Sequence, residues 1–175
     1  MTVTVAQRLD LVACLQAGLA TDGDVVLSSS SPAWHEASAP YNRRLLAWVE
    51  PLALAYPSTP AAIATVLGCA RLAGGSVGVQ ARSGGHNYGA FAMGGRQLSS
   101  STLTLDLRRF ADITFSPGPD GTADGIARVG SGVMLGELAH ALERRGRAMP
   151  HGSCPTVGVG GQVRAQRDHQ QRPSL

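Results

Sequence analysis

Lysine is missing from this chain: all 15 basic side chains are arginine, within 175 residues. Aromatic residues make up only 5% and do not alternate with the arginines. That excludes the stacking platform and basic stripe of a nucleic-acid-binding module. The net charge of +3 is itself small. Arg164, Arg167 and Arg172, set against Asp168, supply +2 of it from the last residues, so the remainder carries only +1. Cysteine is scarce as well. Cys14, Cys69 and Cys154 are an odd, widely spaced set, which does not make a disulfide framework. Cys14 and Cys69 read instead as small, inert packing residues on helices. No run is long and apolar enough to cross a bilayer, so neither a membrane nor nucleic acid is expected as a partner. The N-terminus lacks the basic, apolar, small-residue order of a signal peptide, because Gln7, Arg8, Asp10 and Gln16 interrupt its apolar stretch.

What remains is rich in core-forming residues and in glycine. Hydrophobic residues reach 43% and charged ones only 15%, a balance that folds rather than stays disordered. Residues 5–19 read as an amphipathic helix and Ser28 to Pro32 as a turn, while Trp34 to Arg44 shows no clear period. Pro51 to Tyr56 reads as a strand. Ser58 or Thr59 then offers an N-cap, Pro60 suits the first helical position, and Ile63, Val66, Leu67 and Ala70 follow at the spacing of one buried stripe. Gly74 and Gly75 stop that helix. Val77 to Gln80 reads as a second strand. Leu103 to Leu107 alternates apolar and polar residues, the pattern of a half-buried strand. After the turn-rich Pro117 to Gly125, Ile126 to Val129 is a further strand. Leu135, Leu138, Ala139 and Leu142 mark a last helix, with His140 and Glu143 outward and a stop at Arg144-Arg145-Gly146. Strands and helices in this order predict an α+β or α/β domain.

Two loops carry the chemistry. Ala81-Arg82-Ser83-Gly84-Gly85-His86-Asn87-Tyr88-Gly89 follows the second strand directly. Its small residues allow backbone N–H groups to converge as an anion-binding nest, and Gly84 and Gly85 remove the Cβ atoms that would obstruct a diphosphate. An ordinary glycine turn with a surface histidine is the competing reading. The loop has no Gly-Lys-Ser/Thr and opens no helix, so it is neither a Walker nor a Rossmann loop. The second loop is Pro150-His151-Gly152-Ser153-Cys154-Pro155-Thr156-Val157-Gly158-Val159-Gly160-Gly161. Small neighbours leave the Cys154 sulfur accessible, and as a thiolate it would be a nucleophile. His151 is placed to help deprotonate it or simply to meet solvent. A structural zinc site needs four ligands, which His151 and Cys154 do not supply, so no metal is expected.

Taken together, the loops resemble those of the berberine-bridge-enzyme-like and glucooligosaccharide-oxidase-like flavoproteins, which have a PCMH-type FAD-binding domain of the vanillyl-alcohol-oxidase superfamily. Pro57-Ser58-Thr59, Leu103-Thr104-Leu105-Asp106-Leu107 and Val129-Gly130-Ser131-Gly132 agree with it. The resemblance implies FAD held covalently at two points, His86 through the flavin 8α-methyl carbon and Cys154 through C6. It implies that Arg82, Ser83, Gly84 and Gly85 cradle the pyrophosphate through backbone N–H groups and that Asn87 belongs to the same loop. Val157, Gly158, Val159, Gly160 and Gly161 would run along the ring and pyrophosphate, and Tyr88 would lie on the substrate side. A complete relative transfers a hydride from an alcohol, sugar or small metabolite to the flavin, with oxygen as acceptor, and relatives are often secreted.

The resemblance covers roughly Tyr41 to Gln162. It divides the chain into an N-terminal helix and lead-in (1–40), an incomplete PCMH-type FAD-binding domain (41–162) and an unrelated, disordered tail (163–175). The family's further Gly-Gly-Gly-x-Gly stretch, its substrate domain and its catalytic base region are missing, so no catalytic residue is assigned and weak or absent oxidase activity is expected. The alternative is a non-catalytic remnant that binds no cofactor.

Overall fold

The computed structural model describes residues 3–19, 25–118 and 125–163. In chain order its elements are α1 (Val5–Leu19), β1 (Val25–Leu27), α2 (Trp34–Ala37), β2 (Ala53–Tyr56), α3 (Pro60–Leu72), β3 (Gly78–Arg82), α4 (Gly95–Leu98), β4 (Thr102–Asp106), β5 (Ile113–Ser116), β6 (Ile126–Val129) and α5 (Leu135–Glu143). The expected disordered tail lies outside the described residues, except Val163.

One sheet has the order β1-β2-β4-β3. β4 lies between β2 and β3 and runs parallel to both, with Leu103 opposite Ala53 and Val79. β1 joins β2 antiparallel, Val26 opposite Ala55. β4 is an inner strand, paired along both edges, and both its faces are covered as well. Thr104 and Asp106 are as buried as Leu103, so the expected half-buried strand is fully buried. Alternation still sorts the faces of β2. Ala53 and Ala55 face a core built with Leu11, Leu15 and Leu19 of α1 and Ala62, Val66, Cys69 and Ala70 of α3. Leu54 and Tyr56 point the other way and pack with Trp34 of α2.

α3 begins as its cap predicts: Thr59 is extended and its hydroxyl accepts from the Ala62 N–H at 3.1 Å. Its stripe is rotated by one position from the expected one. Ala62 and Cys69 are inside, whereas Leu67 is 48% exposed. The cause is the neighbouring helix. Cys14 of α1 and Cys69 of α3 form a disulfide with Cα atoms 5.8 Å apart, which corrects the reading of both as inert packing residues.

The second unit is smaller. β5 and β6 form an antiparallel pair, Thr114 opposite Arg128. α5 lays Leu135, Leu138 and Leu142 in a core shared with Val133 and Val159, with Ile113, Phe115, Val129 and Val157 at its edge. His140 and Glu143 stand outward as expected.

Candidate cofactor site

The two glycine loops meet at the junction of these units. The first leaves β3 at Arg82, whose carbonyl accepts from the Leu107 N–H at 2.8 Å. The Ser83 hydroxyl then donates to the Ser131 carbonyl at 2.5 Å, fastening the loop to the turn before α5. The second loop is strapped across the start of α5. There the Leu135 and Gly136 N–H groups, which a helix leaves without internal acceptors, donate to the carbonyls of Val157 and Pro155, each at 2.9 Å. The Val159 N–H returns to the Val133 carbonyl at 2.8 Å.

The loops touch backbone to backbone. A Cβ placed on Gly84 would lie 2.3 Å from the Gly158 nitrogen, and one on Gly158 would lie 2.0 Å from the Ser83 hydroxyl oxygen. Glycine at both positions is therefore required by the mutual approach of the two loops, a protein contact where the sequence suggested only room for a diphosphate. Gly85 adopts a φ of +70°, which glycine supplies without strain. Gly161, by contrast, borders open space.

This contact brings His86 and Cys154 into one group. The Thr156 hydroxyl oxygen lies 2.7 Å from His86 Nε2 and 3.5 Å from Cys154 Sγ. Tyr41 stacks on the His86 imidazole at 4.0 Å between centroids, and Tyr88 meets Tyr41 edge-on at 5.9 Å. Hydrogen bonding from Thr156, through its hydroxyl first and its backbone second, holds the Cys154 thiol below the ordinary range. His151 is turned to its own strand of chain, its Nδ1 lying 2.7 Å from the Gly152 carbonyl.

A cleft of about 520 Å³ runs along the junction. Ser83, Gly84, Gly85, His86 and Asn87 of the first loop and Val157, Gly158, Gly160 and Gly161 of the second line it, together with Leu107 and Ser131. Its size falls within the roughly 300–1,000 Å³ of small-molecule and cofactor clefts.

Not every residue marked by sequence turns its side chain to this cleft. Arg82 is buried, paired with Asp106, and donates to the Ala37 carbonyl at 2.8 Å and the Tyr56 hydroxyl at 3.2 Å. Asp106 also takes Arg108 at 3.0 Å, which raises the Arg108 pKa. Val159 packs in the α5 core. The Asn87 carboxamide accepts from the Gly89 N–H at 2.9 Å and so shapes its own turn. Tyr88 is 73% exposed. Sequence reasoning missed Thr156 and Tyr41. Thr156 stood inside the second loop, and a hydroxyl two residues from a reactive cysteine was the available signal. Tyr41 lies in an aperiodic stretch that gave none.

A family model for the FAD binding domain matches residues 51–167, more than half of the chain. The chain belongs to this FAD-binding family. Chitooligosaccharide oxidase of Gibberella zeae is 35% identical over 150 residues, covering 85% of this chain and 27% of the relative. The solved structure of berberine-bridge-enzyme-like protein 1 from Physcomitrella patens aligns with a TM-score of 0.69 at 33% identity, over 84% of this chain and 29% of that one. Glucooligosaccharide oxidase from Acremonium strictum, described with a 6-S-cysteinyl, 8α-N1-histidyl FAD, aligns with a TM-score of 0.69 at 28% identity, over 87% of this chain and 29% of its own. This member of the FAD-binding family therefore spans less than a third of the length of these relatives. The mixed helix and strand architecture is that of the PCMH-type FAD-binding domain of berberine-bridge-enzyme-like oxidases, as the two loops implied.

Proposed function

We propose that this chain is the flavin-anchoring part of an oxidase that removes a hydride from a sugar or a related small alcohol, with His86 and Cys154 as the two covalent attachment points for FAD. The observation that carries the reading is the His86–Thr156–Cys154 group: His86 meets Thr156, 70 residues away in sequence, and through that one hydroxyl Cys154, beside a cleft. The donor set suits the flavin. An imidazole with one engaged nitrogen and a thiol biased toward thiolate are nucleophiles of the kind that form covalent bonds to cofactors, and the glycine-lined walls allow close backbone approach. The doubly linked flavin described for the Acremonium strictum enzyme uses the same pair of residue types. When bound, FAD supplies the redox chemistry as hydride acceptor. Ser83 to Asn87 on one loop and Val157, Gly158, Gly160 and Gly161 on the other hold it in the cleft, with Val159 fixing the second loop from the α5 core, and Tyr88 stands toward the substrate. The sugar as substrate class rests on the oligosaccharide oxidases among the relatives.

Incubation of the chain with FAD, denaturation in acid and inspection of the protein band for flavin fluorescence tests this reading. Flavin should remain on the wild type, His86→Ala and Cys154→Ala should each keep it through the other residue, and the double variant should lose it. A wild-type band without flavin would overturn the proposal in favour of a remnant that holds no cofactor.

A further inference from the structure

We propose that Tyr41 is a positioning residue for His86: its ring, supplied by the segment ahead of β2, fixes the plane in which the imidazole meets Thr156 and the cleft. That the imidazole so held receives a flavin rests on the function proposed above; the stacked pair itself does not.

A histidine side chain turns about two torsions, and the second, which sets the ring plane, is broad. Thr156 Oγ1, 2.7 Å from Nε2, fixes one point on the ring edge. About that point the imidazole can still tilt. A contact on its face removes the tilt, and Tyr41 supplies it, with ring centroids 4.0 Å apart and an interplanar angle of 27°. Stacked and edge-to-face contacts are the favoured pairings of aromatic rings, and Tyr41 makes one of each: stacked on His86, edge-on to Tyr88 at 5.9 Å. The chain on both sides of Tyr41 is fastened. Pro40, just before it, is fully buried. Asn42, just after it, donates from its carboxamide to the Tyr88 carbonyl at 3.1 Å and accepts from the Arg44 N–H at 3.3 Å. Leu45 and Val49 then pack with Ala90 and Met93. On the first glycine loop, the Asn87 carboxamide accepts from the Gly89 N–H and the Asn87 carbonyl from the Ala90 N–H, both at 2.9 Å, so His86 and Tyr88 flank one tight turn. Tyr41 acts from outside the cleft. With Pro40, Ser83, Gly84 and Gly85 it lines a neighbouring hollow of about 380 Å³, whereas His86 lines the cleft itself. It therefore sets the imidazole without touching what the cleft holds. Cys154 joins the group at Thr156, 3.5 Å away, so the loss of Tyr41 should fall on His86 and spare Cys154.

Two readouts on the full chain test this, the first without any flavin. A ring stacked on the imidazole face moves the His86 C–H protons upfield in NMR, and His86→Ala identifies their signals. Tyr41→Leu removes the ring and keeps apolar bulk; Tyr41→Phe keeps the ring. The upfield position should be present in the wild type, lost in Tyr41→Leu and retained in Tyr41→Phe. The second readout is the flavin found, after incubation with FAD and digestion after arginine, on the peptide of residues 83–96, which holds His86, against that of residues 148–164, which holds Cys154. In Tyr41→Leu the rate of attachment at His86 should fall by up to about 100-fold, the cost of displacing a reacting group by roughly 1 Å, while attachment at Cys154 persists, and Tyr41→Phe should restore the first. His86 protons at the ordinary position in the wild type, or unmoved in a folded Tyr41→Leu, would overturn the proposal. So would an equal loss of flavin from both peptides, the mark of a merely structural role. If Tyr41→Leu does not fold, the wild type and Tyr41→Phe decide by their proton positions. A wild type with the upfield signals and no flavin on either peptide refutes the cofactor reading alone, while flavin on both peptides with His86 protons at the ordinary position refutes this one alone.

Discussion

Gly158 is where the two loops are closest, and a single methyl there tests the junction. A Cβ on Gly158 would lie 2.0 Å from the Ser83 hydroxyl oxygen and 2.2 Å from the Gly84 nitrogen, and the second neighbour is backbone, unable to swing aside. Gly158→Ala should destabilise the chain by about 1–3 kcal/mol, the usual range for overpacking, as read from urea unfolding. Gly161→Ala, at a position bordered by open space, should stay within about 0.5 kcal/mol of the wild type. Asp106 makes a second test. It is fully buried and receives both Arg82 and Arg108. Asp106→Asn removes the charge that compensates a buried guanidinium, and breaking such a pair from one side costs about 3–5 kcal/mol; an unfolding midpoint unchanged in urea would contradict the role given to it. The sequence singled out His86 and Cys154 because a histidine and a cysteine each sat in a loop of small residues, and the fold brings those two loops together. The reasons for the glycines were only partly legible. Sequence shows that Gly84 and Gly158 are small, and only the fold shows that each is small because of the other. For Arg82 the sequence spoke only of its backbone N–H; the fold adds that its guanidinium turns inward to Asp106, a partner 24 residues away.

Among the elements, α1 and α3 hold the least expected feature. Helix positions were read well from capping and periodicity: α1 begins and ends at the expected residues, and Thr59 caps α3. The inward face of α3 was read less well, because periodicity gives a stripe and not the neighbour that selects among adjacent stripes. Cys69 turns in toward Cys14, and Leu67 turns out. β4 was likewise read as half-buried from its alternation, since Thr104 and Asp106 are polar. Both are satisfied internally, Thr104 by the Ala92 carbonyl at 3.2 Å, and this is what allows a polar alternation on a strand covered on both faces. The disulfide gives a prediction at this scale. It closes a separation of 55 residues, and a cross-link of this kind stabilises by about 2–4 kcal/mol, mainly by restricting the unfolded chain. Such bonds persist in oxidising compartments. Dithiothreitol, or Cys14→Ser, should lower the thermal midpoint by several degrees, and a thiol count on unfolded, unreduced chain should find Cys154 alone. A midpoint indifferent to reduction, or three titratable thiols, would show that the two helices are not joined.

For the molecule as a whole, the site belongs to neither unit. The β1-β2-β4-β3 sheet supplies His86 through the loop after β3, and the α5 unit supplies Thr156 and Cys154 through the loop strapped to its N-terminus. The units have separate cores, and the junction between them is the cleft. The central claim is that one flavin is held there from both sides. Digestion after arginine separates the anchors cleanly: His86 lies in the peptide of residues 83–96 and Cys154 in that of residues 148–164. Mass spectrometry of the FAD-treated chain after such digestion should find these two peptides joined through a single flavin. Recovery of both without flavin, or a flavin attached to any other peptide, would contradict the account.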